Sequence, residues 1–298
     1  MAFNWQTFKT RTLTAGVFVV VMLTGLLWNQ WSFLLLFSVI HFGCWWEYTR
    51  LMEKIHNTFL HIYSKLGFIL LGYGFMLWFC GAGYQIAGYN IKENVSLPVS
   101  FAGFILLTIG LFQKMRVDLK SISATALGLL YISLSWGLMM DLYSNTEFND
   151  SMLRAYGNKT YALLIPLFVI GCMWINDTMA YIVGSLIGKT PFSKISPKKT
   201  WEGTIGGIIL SSVIMGCLAF TFDKSFVLGQ TFIWWTILAM IASVTGTLGD
   251  LLESRLKRMA EVKDSGQIMP GHGGFLDRFD SLLLAIPFVW LYVRFLIK

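Results

Sequence analysis

Charged residues are scarce in this chain of 298 residues, since Asp, Glu, Lys and Arg make up only 13% of it. An ordinary soluble domain carries about twice that fraction, so the composition excludes a water-facing globular protein. Hydrophobic residues make up 55%, and the mean hydropathy is +0.62. The same composition excludes a disordered chain, a coiled coil and a small disulfide-stabilised scaffold.

Cysteine is also rare, and the four cysteines each lie inside an apolar run without the spacing of metal ligands. We interpret them as small packing residues. Lys9 and Arg11 precede the first apolar run in the charge order of a signal peptide, but no small-residue cleavage site follows. We therefore expect a retained first membrane span.

Long apolar runs dominate the rest of the sequence. Crossing about 30 Å of hydrocarbon takes roughly 20 apolar residues in a helix, and we identify nine candidate runs. They are Thr12–Trp28, Trp31–Tyr48, Tyr63–Ala82, Pro98–Gln113, Ser121–Tyr143, Thr160–Gly188, Trp201–Phe222, Gly229–Leu252 and Phe279–Ile297. The pattern predicts an all-α, polytopic integral membrane protein with about nine transmembrane helices in one domain, 1–298. Within the predicted helices, Gly184 with Gly188 and Gly203 with Gly207 have the spacing of helix-packing contacts.

The distribution of basic residues predicts how the chain is oriented in the membrane. With nine spans, 17 of the 23 Lys and Arg residues fall on the same side as the N-terminus. Positive residues favour cytoplasmic loops, so we predict a cytoplasmic N-terminus and an extracytoplasmic C-terminus.

Carboxylates and cations are concentrated where the eighth predicted span ends and the ninth begins. If the eighth span stays helical, Asp250 and Lys257 share one face, whereas 270–274 contains Pro and three Gly and must be a loop. Asp277 and Asp280 are one helical turn apart at the start of the ninth span. The two spans run in opposite directions, so we expect the three carboxylates to converge at the cytoplasmic face.

Asp177 is a further candidate for this cluster, because it lies about 25 Å along the sixth span, near the cytoplasmic boundary. An ion pair with a structural Lys or Arg is the alternative explanation. Several carboxylates without thiol or paired imidazole ligands suit a hard cation such as Mg²⁺. A metal with nearby Lys and Arg is typical of phosphate chemistry.

A second polar segment precedes the seventh span. Serine is favoured at a helix N-cap and proline at the first helical position, so Ser196 and Pro197 predict that the seventh helix begins there. Lys198 and Lys199 would add positive charge to a helix N-terminus, which already favours anions. The alternative is that these two lysines only fix the orientation of the chain in the membrane and bind no ligand.

Five segments of the C-terminal half together form a recognisable signature. They are Asp177–Tyr181, Ser196–Gly203, Ser254–Arg258, Lys263–Gly266 and Pro270–Asp280. The signature resembles that of the phosphatidate cytidylyltransferases, or CDP-diacylglycerol synthases. The resemblance covers roughly Asn176 to Asp280, with Met269 as a departure at a position where Leu, Ile or Phe is usual. The first five spans match only in hydropathy and at Trp46-Glu47-Tyr48.

The resemblance implies that phosphatidate and CTP give CDP-diacylglycerol and pyrophosphate, with Mg²⁺ required and a second cation left open. It also implies that 160–298 is the catalytic part after a five-helix part, 1–159, and that the protein forms a homodimer in the cytoplasmic membrane of a bacterium, without a nucleic-acid partner. The metal ligands by motif are Asp250, Asp277 and Asp280. The catalytic candidates are Lys257, Arg258, Lys263, Asp264, His272 and Arg278, and the substrate-binding candidates are Asp177, Ser196, Lys198, Lys199, Thr200 and Glu202.

The sequence leaves two questions open, the role of His272 and the choice between related functions. His272 is a general base, a phosphate contact or a loop organiser. A CTP-dependent lipid kinase and a transporter of a phosphorylated substrate are the alternative functions. The absence of an internal repeat and the location of the charges at one face count against transport.

The orientation predicts the behaviour of a reporter fused after Lys298. An alkaline phosphatase fusion, which is active only outside the cytoplasm, should be active in cells, whereas a β-galactosidase fusion at the same point should not. The reverse pattern would contradict an odd number of spans with a cytoplasmic N-terminus.

Overall fold

A computed structural model of the chain describes residues 5–113, 118–144, 161–222, 228–267 and 273–296. These residues are α-helical apart from one short π-helix, one two-stranded hairpin and the connecting loops. The helices are α1 Trp5–Leu27, α2 Gln30–His56, α3 Ile62–Leu77, α4 Ile91–Asn94, α5 Ser96–Leu111, α6 Leu119–Ala126, α7 Ser135–Ser144, α8 Tyr161–Ile187, α9 Trp201–Phe222, α10 Leu228–Met259 and α11 Leu276–Leu296. The π-helix is Leu129–Leu134, and the hairpin pairs β1 Gln85–Ile86 with β2 Tyr89–Asn90.

Each of the nine predicted runs overlaps a helix, and the fifth overlaps α6, the π-helix and α7, which confirms the all-α class. The seventh run has the bounds of α9, whereas α10 continues beyond the predicted end of the eighth run to Met259. Thr160 and Ile297, two predicted span ends, lie outside the described residues.

Five helical segments of the described chain are long and apolar enough to cross a membrane, and two shorter apolar ones accompany them. The chain is therefore a multi-pass membrane protein, and the number of nine spans stays a prediction. The long segments are Ile91–Leu111, Leu119–Ser144, Leu164–Ile187, Trp201–Ala219 and Phe232–Met259, and the short ones are Thr12–Leu27 and Ile62–Leu77.

The backbone divides into two compact units. The first unit consists of Met1–Asp141 and Leu256–Phe279, and the second of Leu142–Arg255 and Asp280–Lys298. The prediction of one domain with a catalytic part from residue 160 stays a prediction.

Aromatic side chains form the centre of the first unit. Trp45 on α2 and Trp136 on α7 are fully buried, and the ring of Trp136 lies 5.6 Å from that of Phe279. Trp45 donates a hydrogen bond of 2.8 Å to Ser133 Oγ in the π-helix, and His41 Nε2 lies 3.0 Å from the same oxygen. α2 is thus held to the π-helix by polar contacts inside an apolar core.

Small residues allow α8 and α9 to approach closely in the second unit. A Cβ atom at Gly203 would lie 2.7 Å from the carbonyl oxygen of Ala180 and 2.8 Å from Gly184 Cα, closer than real contacts allow. A Cβ at Gly207 would meet the backbone nitrogen of Ala180 at 2.9 Å. These contacts confirm the packing role predicted for the spaced glycines.

The predicted start of the seventh helix at Ser196 is wrong. Lys199 N donates to the Ser196 carbonyl at 3.1 Å, so Pro197 and Lys198 occupy the middle of a turn, where Pro is also favoured. α9 begins at Trp201, and Thr200 Oγ1 accepts the Gly203 N–H at 3.2 Å as its cap. The Ser-Pro pair is compatible with either structure, and the cap at Thr200 decides between them.

Candidate active site

The second unit contains a cavity of about 410 Å³ between α8, the loop before α9, and the helices α9 and α10. Four of the predicted substrate-binding residues line it, together with the predicted metal ligand Asp250. The lining residues are Asn176, Asp177, Ala180, Tyr181, Gly184, Ser185, Lys198, Lys199, Thr200, Thr204, Thr247 and Asp250. Residues from four separate segments therefore meet in one polar pocket.

Lys199 and Asp250 form an ion pair in this cavity. Their side chains are 32% and 26% exposed, and pairs that remain partly hydrated contribute little to stability. Ser254 Oγ, one turn further along α10, donates to Asp250 Oδ1 at 3.3 Å. The pair can therefore separate at small cost, which leaves each charge accessible to a ligand of the opposite sign.

The loop that carries the lysines is closed by Glu202. This side chain accepts the backbone N–H groups of Lys189 and Thr190, each at 3.2 Å. The Phe192 N–H donates to the Lys199 carbonyl at 2.8 Å, which ties the other end of the loop. Glu202 and Ser196, both predicted to bind substrate, are not among the residues that line the cavity, and their contacts shape the loop instead.

Asn176 is a lining residue that the sequence reasoning did not select. It is only 4% exposed, and its Oδ1 atom has no hydrogen-bond partner in the described part of the chain. Thr204 and Thr247, each 8% exposed, line the same cavity. A buried amide oxygen without a partner is costly, so Asn176 is suited to a hydrogen bond or metal contact from a ligand. Its position beside Asp177 inside an apolar run was the available signal.

The donor groups of the second unit fit a hard cation. A Cβ atom at Gly249 would lie 2.5 Å from the Asp280 carbonyl oxygen, so α10 and α11 are in backbone contact next to Asp250. Asp250 and Asp280 are both half-buried, and carboxylate oxygens suit Mg²⁺. Within each unit, the described residues hold no group of three carboxylate, imidazole or thiol side chains that could hold a metal as they stand. The three-carboxylate metal site stays a prediction.

In the first unit, Asp277 is surrounded by donors. Lys257 Nζ lies 2.6 Å from Asp277 Oδ1, and the N–H groups of Ser265 and Gly274 each donate to Oδ2 at 2.8 Å. Burial opposes the charge of this carboxyl, but these hydrogen bonds and the lysine hold its pKa below the usual value. A Cβ at Gly273, where φ is +84°, would lie 2.7 Å from Oδ2. The glycine thus leaves room for the ionised carboxylate.

Glu47 lies on α2 in the same cluster. It accepts hydrogen bonds from Phe275 N at 3.0 Å, Leu276 N at 2.8 Å and Ser265 Oγ at 2.7 Å. The candidate residues selected from the sequence do not include it, although Trp46-Glu47-Tyr48 was part of the family resemblance. A carboxylate inside an apolar helix was the signal that could have selected it.

The other predicted catalytic residues lie in different surroundings. Lys263 and Asp264 line a separate cavity of about 820 Å³ in the first unit. Arg258 and Arg278 are exposed. His272 lies outside the described residues.

Comparison with known proteins decides the family. The cytidylyltransferase family model matches residues 9–296, which is nearly the whole chain. This chain belongs to the cytidylyltransferase family. The resemblance inferred from the motifs is therefore confirmed, and the match includes the first five predicted spans, where the sequence had matched only in hydropathy and at Trp46-Glu47-Tyr48.

Bacterial relatives in this family are similar over almost their full length. Phosphatidate cytidylyltransferase of Bacillus subtilis is 31% identical over 283 residues, which cover 95% of this chain and 96% of that protein. The protein of the same name from Haemophilus influenzae is 32% identical over 292 residues, covering 94% and 96%. A chloroplastic phosphatidate cytidylyltransferase of Arabidopsis thaliana is 31% identical over 214 residues, covering 67% and 52%. Bacterial and plastid proteins thus share this family.

The loop contacts of Glu202 predict a loss of activity in Glu202→Gln. The amide keeps one oxygen that can accept a hydrogen bond but loses the negative charge, so its hydrogen bonds to the two backbone N–H groups are weaker. The loop that carries Lys198 and Lys199 should then be held less firmly. We expect cytidylyltransferase activity to fall about tenfold, because small errors in positioning are costly. Initial rates of detergent-purified protein measure this. Glu93→Gln, the same change at an exposed glutamate in α4, should retain the wild-type rate; an equal loss there would contradict the loop role.

Proposed function

We propose that this protein is a phosphatidate cytidylyltransferase, which converts phosphatidate and CTP into CDP-diacylglycerol and pyrophosphate at the cytoplasmic face of the membrane. The observation that carries the proposal is the similarity to proteins of that name over nearly the full length of both chains. The polar cavity lined by Lys199 and Asp250 in a multi-pass membrane protein also supports it.

The reaction joins two anions, so positioning and neutralisation of charge are the main requirements. The phosphate of phosphatidate attacks the α-phosphorus of CTP, an O–P bond forms, and the bond to the leaving pyrophosphate breaks. A phosphomonoester has a second pKa near 6, so the nucleophile is already ionised at neutral pH. The reaction therefore requires no general base, and His272 is better suited to a phosphate contact or to organising its loop.

The basic residues have the role of binding phosphate oxygens. In the second unit, Lys198 and Lys199 line the cavity and offer charge to an entering phosphate. In the first unit, Lys257 is held beside Asp277, and Lys263 lines its own cavity. Electrostatic stabilisation of this kind acts on the charge that develops in the transition state.

Asp250, Asp277 and Asp280 are proposed to hold Mg²⁺. Bound Mg²⁺ supplies charge stabilisation for the triphosphate oxygens and orients the leaving pyrophosphate. Asp250 and Asp280 lie on two helices in backbone contact, and Asp277 is one turn before Asp280 on α11, which supports the assignment.

We also propose that the protein crosses the cytoplasmic membrane nine times, with its N-terminus in the cytoplasm. We propose a homodimer as well, which light scattering of the solubilised protein would test.

Transfer of label from CTP to lipid tests the reaction. Purified protein is incubated with phosphatidate, Mg²⁺ and CTP labelled at the α-phosphate, and lipid is extracted. We expect label in the lipid fraction and pyrophosphate in the water phase. In a parallel incubation with γ-labelled CTP and diacylglycerol, the lipid should stay unlabelled. Lipid labelled only from the γ-phosphate would identify a kinase and contradict the proposal.

Asp277→Asn tests the proposed metal ligand. The variant should insert and fold, because the amide keeps an oxygen acceptor, but it loses a negative charge where the cation is proposed to bind. We expect activity to fall by at least about a hundredfold, measured by the α-label assay at saturating Mg²⁺. Asp118→Asn is a matched control, because Asp118 also accepts backbone N–H groups at a helix start in the first unit. Near-normal activity of Asp277→Asn would remove Asp277 from the metal site.

A further inference from the structure

Glu47 is a buried carboxylate, only 2% exposed, in the apolar helix α2. A carboxylate removed from water is costly unless hydrogen bonds or a cation compensate for the lost hydration. The hydrogen bonds described above come from the segment that precedes and begins α11, 218 to 229 residues away in sequence. The contacts of Glu47 therefore connect α2 to the segment that carries Asp277.

The first connection is to the start of α11. The first N–H groups of a helix have no partner within the helix, and Glu47 accepts those of Phe275 and Leu276, the residue before the helix and its first residue. A negative charge at this end also interacts favourably with the helix dipole. Glu47 thus fixes the position of the backbone one residue before Asp277.

The second connection passes through Ser265. Its Oγ atom lies 2.7 Å from Glu47 Oε2 and 2.9 Å from Asp277 Oδ2, and its N–H donates to the same Asp277 oxygen at 2.8 Å. Gly266 and Gly274 lie so close to the Glu47 carboxylate that a Cβ atom at either position would clash with it. The serine and the two glycines are fitted closely around the Glu47 carboxylate.

We infer that Glu47 is a positioning residue for the reaction, which holds Ser265 and the start of α11 so that the Asp277 carboxylate is presented in one orientation. Glu47 acts through Asp277 and has no assigned contact with substrate or cation. The inference rests on the proposed function, because Asp277 matters only where it binds the cation. A purely structural role would instead lower stability without a specific effect on metal binding or turnover.

Glu47→Gln is the decisive variant, studied in the full-length protein in detergent. Glutamine keeps the length of the side chain, but its Nε2 atom cannot accept, so at least one of the donors in the first unit loses its partner. We expect kcat to fall about a hundredfold, because a displacement of about 1 Å costs this much. The KM for CTP should stay within about threefold of the wild-type value. Glu53→Gln on the same helix is the matched control, since Glu53 also accepts a backbone N–H, from Leu60 at 2.8 Å, and its other oxygen accepts from Lys65 at 2.8 Å rather than from Ser265, Phe275 or Leu276.

Two further measurements separate positioning from stability. The affinity for Mn²⁺ alone, followed by electron paramagnetic resonance of the free ion, should fall about tenfold in Glu47→Gln and stay unchanged in Glu53→Gln. Hydrogen exchange of peptides that cover 273–280 should accelerate in Glu47→Gln only. In the Asp277→Asn background, Glu47→Gln should reduce kcat by less than about threefold, because the group through which it acts is already altered.

The outcomes are distinct. A folded Glu47→Gln protein with wild-type kcat, or with slower turnover but unchanged Mn²⁺ affinity and exchange, overturns the inference and leaves the proposed function intact. Wild-type protein that fails to transfer the α-label overturns the proposed function itself. If Glu47→Gln does not accumulate, Ser265→Ala removes the bridging hydroxyl alone and should lower kcat and Mn²⁺ affinity together; wild-type values for both would overturn the inference.

Discussion

Hydrogen bonds to buried or half-buried carboxylates hold together the polar part of each unit. Water is scarce among apolar helices, so every ionised oxygen there must meet a donor or a cation. Glu47 meets backbone N–H groups, Asp277 meets Lys257 and backbone N–H groups, and Asp250 meets Lys199. The same requirement explains the glycines near these carboxylates, because a backbone N–H group can approach a carboxylate closely where no side chain is in the way.

Glu47 and Asp277, two carboxylates of the first unit, differ in what they can do. Glu47 is almost fully buried and accepts hydrogen bonds from α11 and from the segment before it, which suits a fixed role. The side chain of Asp277 is 9% exposed and is paired with a flexible lysine, which can move to a phosphate oxygen. In the proposed metal site, the rigid carboxylate of Glu47 would give Asp277 a fixed support while Asp277 exchanges Lys257 for a cation.

Much of the fold and part of the candidate site could be predicted from the sequence. Apolar runs gave the helices, because hydrocarbon demands that backbone groups be satisfied within each helix. Because charged residues are scarce in this sequence, Asp250, Lys199 and Asp277 could be selected as candidate site residues. The start of α9 was misplaced, because the cap at Thr200 depends on the Glu202 contacts with a loop folded back on itself. The Glu47 contacts join residues more than two hundred positions apart, and no local pattern encodes such a pair.

The long separation between Glu47 and its partners has a consequence for biogenesis. A chain inserted in order from its N-terminus places α2 in the membrane long before Leu276, 229 residues later, has been synthesised. Until then the Glu47 side chain lacks its native donors, so it must meet water or other polar groups in the meantime. Completion of the first unit is thereby delayed until the last helix arrives, and the polar cluster around Asp277 assembles as one of the final steps of folding.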